Sequence, residues 1–258
     1  MIDGLKKTKL LLNAKFSNVG EWKTIVSSIG DIVEEAMFIC NQDGITFRGL
    51  DPSHVSLLDI TFPESSFNFF ECNATFFGIS ISDFKNIISA ASNEDVIELT
   101  IDSTSKMKIS IKGELGMNFD LNLIEKSEVN TPLPKINVTS KITLSPAIFA
   151  RIVSNIERVS EYITISTNQD KIRFLGSGYV GQAEVNLDKS NPDLIKLEII
   201  SDSTSEYSLE YMSKIIRNMG KASKNVNLEY GTQTPMHILF EMPSSTKVEY
   251  YLAPRIST

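Results

Sequence analysis

A chain of 258 residues, 41% hydrophobic and 22% charged, has room for two domains of about 120 residues, each with a core of its own. Its formal charge of −7 excludes a uniformly basic nucleic-acid binder and leaves phosphate contact to local patches. No apolar run approaches the ~20 residues that span a bilayer, Leu10-Leu11-Leu12 is too short for a secretory signal, and Cys40 and Cys72 are the only cysteines, so an intracellular chain with reduced thiols and no membrane partner is expected.

Helical spacing predicts a first helix over Glu21–Glu35, with Trp22, Ile25, Val26, Ile29 and Val33 inward and Lys23, Ser27 and Asp31 outward. A second, over Ser82–Ser92, exposes Lys85, Ser89 and Ser92 opposite Phe84, Ile87, Ile88 and Ala91. Val96–Ile101 and Met107–Ile111 read as strands around a polar Asp102–Lys106 turn, and Met117–Leu123 as another strand. Glu125–Lys135 carries two prolines and no helical pattern, and it opens an extended linker placed at 125–138. A third helix, over Pro146–Ser160, buries Ile148, Ile152, Ile156 and Val159, while Arg151 and Arg158 share a distant face. In a fourth, over Ser208–Lys221, Leu209, Met212, Ile215, Ile216 and Met219 oppose Lys214, Arg217 and Lys221. Lys196–Ile200, Val226–Tyr230 and His237–Glu241 are further strands.

The chain repeats itself. Ile25–Gly49 aligns without a gap on Ile152–Gly176 at an offset of 127, with eleven of twenty-five pairs identical, Asn41-Gln42-Asp43 and Asn168-Gln169-Asp170 among them. Each copy holds two helices and many strands, an α+β layout of two similar domains with helices on antiparallel sheet. The division is 1–124, with 1–10 as an extension, then the linker 125–138, then 139–258.

Lys and Arg ordinarily sit on solvated helix faces. Here an acidic chain places them on the outer face of all four helices with few acids beside them, which points to diffuse phosphate contact without base readout. Chemistry is otherwise missing. Gly176-Ser177-Gly178-Tyr179-Val180-Gly181 matches a dinucleotide-binding pattern, but Gln182–Leu187 after it alternates like a strand where a helix is required. His54 and His237 are the only histidines, and Asp51-Pro52-Ser53-His54 reads as a turn. No catalytic set, metal site or cofactor is expected.

Gly49-Leu50-Asp51-Pro52-Ser53-His54-Val55-Ser56-Leu57 and the terminal Tyr251-Leu252-Ala253-Pro254-Arg255-Ile256 carry a resemblance that runs from about Leu12 to the C-terminus. The chain resembles the proliferating cell nuclear antigen family, the DNA sliding clamps of archaea and eukaryotes, in an archaeal form. The resemblance implies a DNA-clamp fold in which three chains close head-to-tail into a pseudo-sixfold trimeric ring, with helices around duplex DNA. It implies a processivity factor and not an enzyme, cytoplasmic and nucleoid-associated if archaeal, nuclear if eukaryotic. DNA-facing residues would be Lys23, Lys85, Arg151, Arg158, Lys214, Arg217 and Lys221, while Thr24, Gly30, Ser89 and Ser154 replace basic residues of the family. Its partners would be double-stranded DNA, two further clamp subunits, a clamp loader, and DNA polymerase, flap endonuclease and DNA ligase. The enzymes would dock short peptide motifs in a groove built from Leu50, His54, Val55, Leu57, Thr131, Leu133, Pro134, Pro235, Ala253, Pro254, Arg255 and Ile256. Thr131 stands where relatives often carry a larger apolar residue. Phe119 would lie in the subunit seam, facing Tyr179–Leu187 of a neighbour. Two alternatives are a subunit active only in a hetero-trimer with paralogous chains, and a nucleotide-binding enzyme built on Gly176–Gly181.

Overall fold

The computed structural model describes residues 10–102, 105–125 and 131–256, so the extension up to residue 9 and linker residues 126–130 lie outside the described residues. The first half runs β1 (Leu12–Phe16), α1 (Val19–Gly30), β2 (Glu35–Asn41), β3 (Gly44–Leu50), β4 (Ser56–Pro63), β5 (Phe69–Cys72), β6 (Thr75–Ser80), α2 (Ile81–Ser89), β7 (Val96–Ile101), β8 (Lys106–Lys112) and β9 (Met117–Asn122). The second half repeats the order. It runs β10 (Ser140–Leu144), α3 (Pro146–Ile156), β11 (Tyr162–Thr167), β12 (Lys171–Gly178), β13 (Gly181–Asp188), β14 (Leu194–Ile199), β15 (Ser203–Ser208), α4 (Leu209–Met219), β16 (Asn225–Tyr230), β17 (Met236–Glu241) and β18 (Lys247–Leu252).

The first half builds the sheet β5-β1-β7-β8-β9 and the set β4-β3-β2-β6, and the second builds β14-β10-β16-β17-β18 and β13-β12-β11-β15. All pairing is antiparallel. One pairing was not legible in the sequence: β18 zips onto β4, Lys247↔Thr61 through Leu252↔Ser56, and fuses strands of both halves into one nine-stranded sheet.

All four helices are shorter than their apolar spacing predicts. α1 stops at Gly30, because Ile32 and Val33 turn back on the Ile29 carbonyl (3.0 and 2.9 Å) and Glu35 must open β2 opposite Ser80. α2 ends at Ser89, with the Ala90 and Ala91 N–H groups closing tight turns on Ile87 and Ile88. α3 and α4 likewise end at Ile156 and Met219. Two starts follow capping chemistry, with Ser80 accepting from the Asp83 N–H at α2 and Pro146 opening α3.

The helices cover one side of the sheets. Trp22 of α1 stacks between Phe16 of β1 (4.1 Å) and Phe62 of β4 (4.3 Å), so one side chain ties the five-stranded sheet to the nine-stranded one. Phe149, 127 residues on, packs against Phe174 in the second half. Cys40 and Cys72 are both buried and free, as expected, and burial pushes both thiols above their ordinary pKa.

The glycine motif lies on the β12–β13 hairpin, with no helix following. A Cβ on Gly176 would sit 2.2 Å from Ile156 Cγ2, and one on Gly178 would sit 2.1 Å from the Val159 carbonyl oxygen. These glycines let the hairpin close on the end of α3, and no phosphate cradle is formed. Gly176→Ala is therefore expected to destabilise the chain by about 1–3 kcal/mol, seen as a thermal midpoint several degrees lower. A midpoint unchanged within about one degree would refute this packing constraint.

Candidate nucleic-acid interface, partner groove and subunit edges

The helices touch in the order α2, α1, α4, α3 and form one continuous layer across both halves. Asn218 of α4 donates to Asp31, just after α1, at 2.8 Å. Lys85, Arg151, Arg158 and Lys221 are exposed on this layer with no ion pair among the described residues, Arg158 and Lys221 standing in the turns after α3 and α4. The other three predicted cations are engaged. Lys23 spends its ammonium on the α2 end, donating to the Ala91 and Ser89 carbonyls at 2.5 and 3.3 Å, so it buttresses α1 against α2. Lys214 pairs with Glu210 at 3.0 Å. Arg217 bonds Ser213, whose hydroxyl donates to Glu157 at 2.9 Å. Acids are also less scarce than expected, because Asp31, Asp83, Glu157 and Glu210 are all exposed there.

Asp51 organises the loop that presents His54 and Val55. Its carboxylate is buried and accepts from the Ser53 and Val55 N–H groups at 2.9 and 2.8 Å, and from both the N–H and hydroxyl of Ser56. His54 is an exposed loop residue in the left-handed region, φ 60°. A cleft of about 660 Å³ brings together Leu50, His54 and Thr131 of the predicted groove, with Met37, Ile39 and Phe76 extending it over β2 and β6. Arg48 closes it, bonding Asp59 at 2.8 Å and the Thr131 carbonyl at 3.1 Å, and so fastens the linker to the sheet.

The remaining groove residues are arranged around this cleft. Val55 accepts from the Ala253 N–H at 2.9 Å, and Leu57 is buried in β4 opposite Tyr251. Pro134, Pro235 and Pro254 are half-buried, whereas Leu133 and Ile256 are 40% and 84% exposed. Arg255 is committed elsewhere: its guanidinium pairs with Glu206 at 2.8 Å and lies 3.7 Å over the Tyr162 ring, on the four-stranded sheet. Arg48 and Tyr251 were missed by sequence reasoning. Strand alternation was the available signal, since it sets both on the face opposite the buried Phe47 and Tyr250.

The repeat explains which strand edges are left open. β4 and β18 are paired to each other, whereas their equivalents β13 and β9 each end a sheet within the chain. Matching cross-strand partners sets Met117 and Phe119 where Val248 and Tyr250 stand, and Val185 and Ala183 where Ile60 and Leu58 stand. Phe119 is half-buried against the core and faces the helix side of its sheet beside Ile109.

Two family models match in tandem, "Proliferating cell nuclear antigen, N-terminal domain" over residues 11–125 and "Proliferating cell nuclear antigen, C-terminal domain" over 132–255. The DNA polymerase sliding clamp of Cenarchaeum symbiosum is 36% identical over 250 residues, spanning 96% of this chain and 100% of the relative. That of Nitrosopumilus maritimus is 36% identical over 252 residues, with the same coverage of each chain. The crystal structure of PCNA from Thermococcus kodakaraensis has a TM-score of 0.90 at 23% identity, over 95% of this chain and 100% of that one. A PCNA2–PCNA3 complex from Sulfolobus tokodaii has a TM-score of 0.87 at 24% identity, over 94% and 99%. These two structural likenesses establish the fold.

The Asp51 network has a measurable consequence. Asp51→Ala leaves three backbone N–H groups at a buried site without their acceptor and is expected to cost on the order of 3 kcal/mol. Denaturant unfolding should show that loss, and hydrogen exchange at Val55 and Ser56 should accelerate. Unchanged exchange there would mean that the carboxylate does not hold the loop.

Proposed function

The chain belongs to the proliferating cell nuclear antigen family, and from that premise we propose that it is a DNA sliding clamp. It closes as a ring around duplex DNA and tethers the replicative polymerase. Flap endonuclease, DNA ligase and a clamp loader are the further partners we assign to it, the enzymes through peptides that dock beside the linker.

The observation that carries the reading is the pair of open edges. β18·β4 is a seam inside the chain, and β9 with β13 of the next chain is its counterpart between chains. Transferring the internal register sets Phe119 opposite Ala183 of a second copy, and Met117 opposite Val185. A large ring then meets a small side chain, as interdigitation needs. On the other face the transfer sets Asn118 opposite Glu184 and Asp120 opposite Gln182, so no like charges meet. Identical copies satisfy this seam, which favours a homotrimer over a ring completed by paralogous chains. Ring closure also removes two unpaired edges that would otherwise invite aggregation.

The basic residues supply weak, sequence-independent phosphate contact, and topology supplies retention. An acidic ring held by encirclement does not need tight binding and can slide.

Two outcomes test this reading. Light scattering should find the wild-type chain alone at the mass of a trimer, and Phe119→Ala shifted toward monomer by loss of a seam contact worth about 2 kcal/mol or more. A mutant that stays trimeric at micromolar concentration refutes the role of Phe119, and a wild-type monomer or dimer favours the mixed ring. Separately, reversing Arg151, Arg158 and Lys221 to Glu should abolish stimulation of a polymerase on primed circular DNA while trimer mass is kept. The salt slope of DNA binding should fall by about one for each lost phosphate contact. Undiminished stimulation would remove these three residues from the DNA interface.

A further inference from the structure

One straight cross-strand row runs over the outer face of the nine-stranded sheet, opposite the helices: Lys141, Glu229, His237, Tyr251, Leu57, Leu50. Its first half is ionic and its second half apolar. His237 stands at the junction, its ring stacked on Tyr251 at 4.7 Å and 17°. Nδ1 lies 3.2 Å from the Glu229 carboxylate and Nε2 lies 3.0 Å from that of Glu249, with the histidine side chain 13% exposed. A neutral imidazole has one N–H and one lone pair, so it can serve only one of these carboxylates and turns its lone pair on the other. Two carboxylates on two ring nitrogens require the imidazolium.

We propose that His237 is a positioning residue for the partner groove: its doubly bonded imidazolium fixes the Tyr251 ring beside Leu57 and Leu50, and peptide affinity falls when the ring loses its proton. The proposal rests on the reading that this apolar half-row borders the groove.

The surrounding charges support the direction. From β16 and β10 the histidine is faced by Glu229, itself paired with Lys141 at 2.7 Å, and from β18 by Glu249, Tyr251 and the more distant Lys247. Across the seam Glu249 stands directly opposite Asp59, an unfavourable like-charge pair that Arg48 on Asp59 and His237 on Glu249 offset. Burial disfavours the charged imidazole, but the bonds to Glu249 and Glu229 outweigh it and hold the pKa above the ordinary histidine value. Glu249 is held low by its bond to His237, and Glu229 is held low, against its burial, by Lys141 and His237. Burial pushes Tyr251 up to about 12. Of the titratable groups in this row, His237 is the one whose ordinary pKa lies nearest neutrality, and its two carboxylate bonds move it upward from there. Because its folded pKa is raised, its contribution is complete below the ordinary histidine value and is lost as pH rises through the raised one.

The test is calorimetry of the intact clamp with a peptide carrying one Gln and two adjacent aromatics, and no group titrating near neutrality. For wild type, affinity should fall roughly three- to tenfold between about pH 6 and about pH 8.5, while His237→Gln binds at the weaker level at both. His54 is present in both proteins, so the difference between them isolates His237. The NMR titration midpoint of His237 should lie above the ordinary value and drop in Glu249→Gln, which also serves if His237→Gln fails to assemble. Wild-type affinity that does not change with pH, or a His237→Gln variant with the wild-type pH profile, overturns the role of His237 while leaving the groove intact. An assembled wild type that binds no peptide at either pH overturns the groove reading, and this proposal with it.

Discussion

The ladder between β18 and β4 is the constraint on which the rest of the molecule depends. Each half of the chain builds a five-stranded and a four-stranded sheet, and a six-residue antiparallel pairing makes nine strands continuous across the two halves. The inward side of that ladder is apolar, Val248, Tyr250, Leu58 and Ile60 all being buried, so its formation also completes the core beneath α1 and α4. The Tyr250 hydroxyl donates to the Tyr211 carbonyl of α4 at 3.3 Å, which anchors the helix layer to the seam. The repeat equivalents of β18 and β4, β9 and β13, each end a sheet within the chain, and the proposed ring joins those two edges in the register of the internal seam.

The two faces of this layered structure carry different electrostatics. On the helix side, exposed cations interleave with acids, and several cations are already occupied by Glu210, Ser213 or the end of α2. Such a surface offers scattered phosphate contacts and little net attraction, which suits retention by encirclement better than retention by affinity. On the outer face, ion pairs run across strands in ladders, Lys141–Glu229–His237–Glu249 in one half and Arg48–Asp59 in the other. Partly buried networks of this kind fix geometry more than they add stability. Arg48 extends the order to the linker through Thr131, so the sheet face and the groove margin form one connected surface.

Much of this was legible in the sequence. The 127-residue offset persists in the fold, α1 starting at Val19 and α3 at Pro146, β3 at Gly44 and β12 at Lys171. The apolar stripes on α1 and α4 point inward as their spacing requires, and the strand-like Gln182–Leu187 is what removes the glycine motif from nucleotide chemistry. Helix ends were overrun because apolar spacing continues into the tight turns beyond Gly30, Ser89, Ile156 and Met219, where the backbone has already left the helix.

The sequence by itself determined that the chain is a duplicated α+β unit, because periodicity and repetition are written in the order of side chains, while the motifs at Gly49–Leu57 and Tyr251–Ile256 carried the resemblance to one clamp family. It also determined the inward stripes of α1 and α4, whereas on α3 the structure buries Phe149 and Val153 and leaves Ile148 and Val159 half-buried. Only the tertiary structure decided that β18 pairs with β4 and leaves β9 open, because period two assigns a side and says nothing about a partner. Only the tertiary structure decided that Lys23 caps the end of α2, that Arg255 lies on Tyr162, and that His237 bridges two glutamates. Those contacts join residues that are up to 93 positions apart, 255 minus 162. Their strength comes from distance and burial in space, which a linear order of residues does not carry.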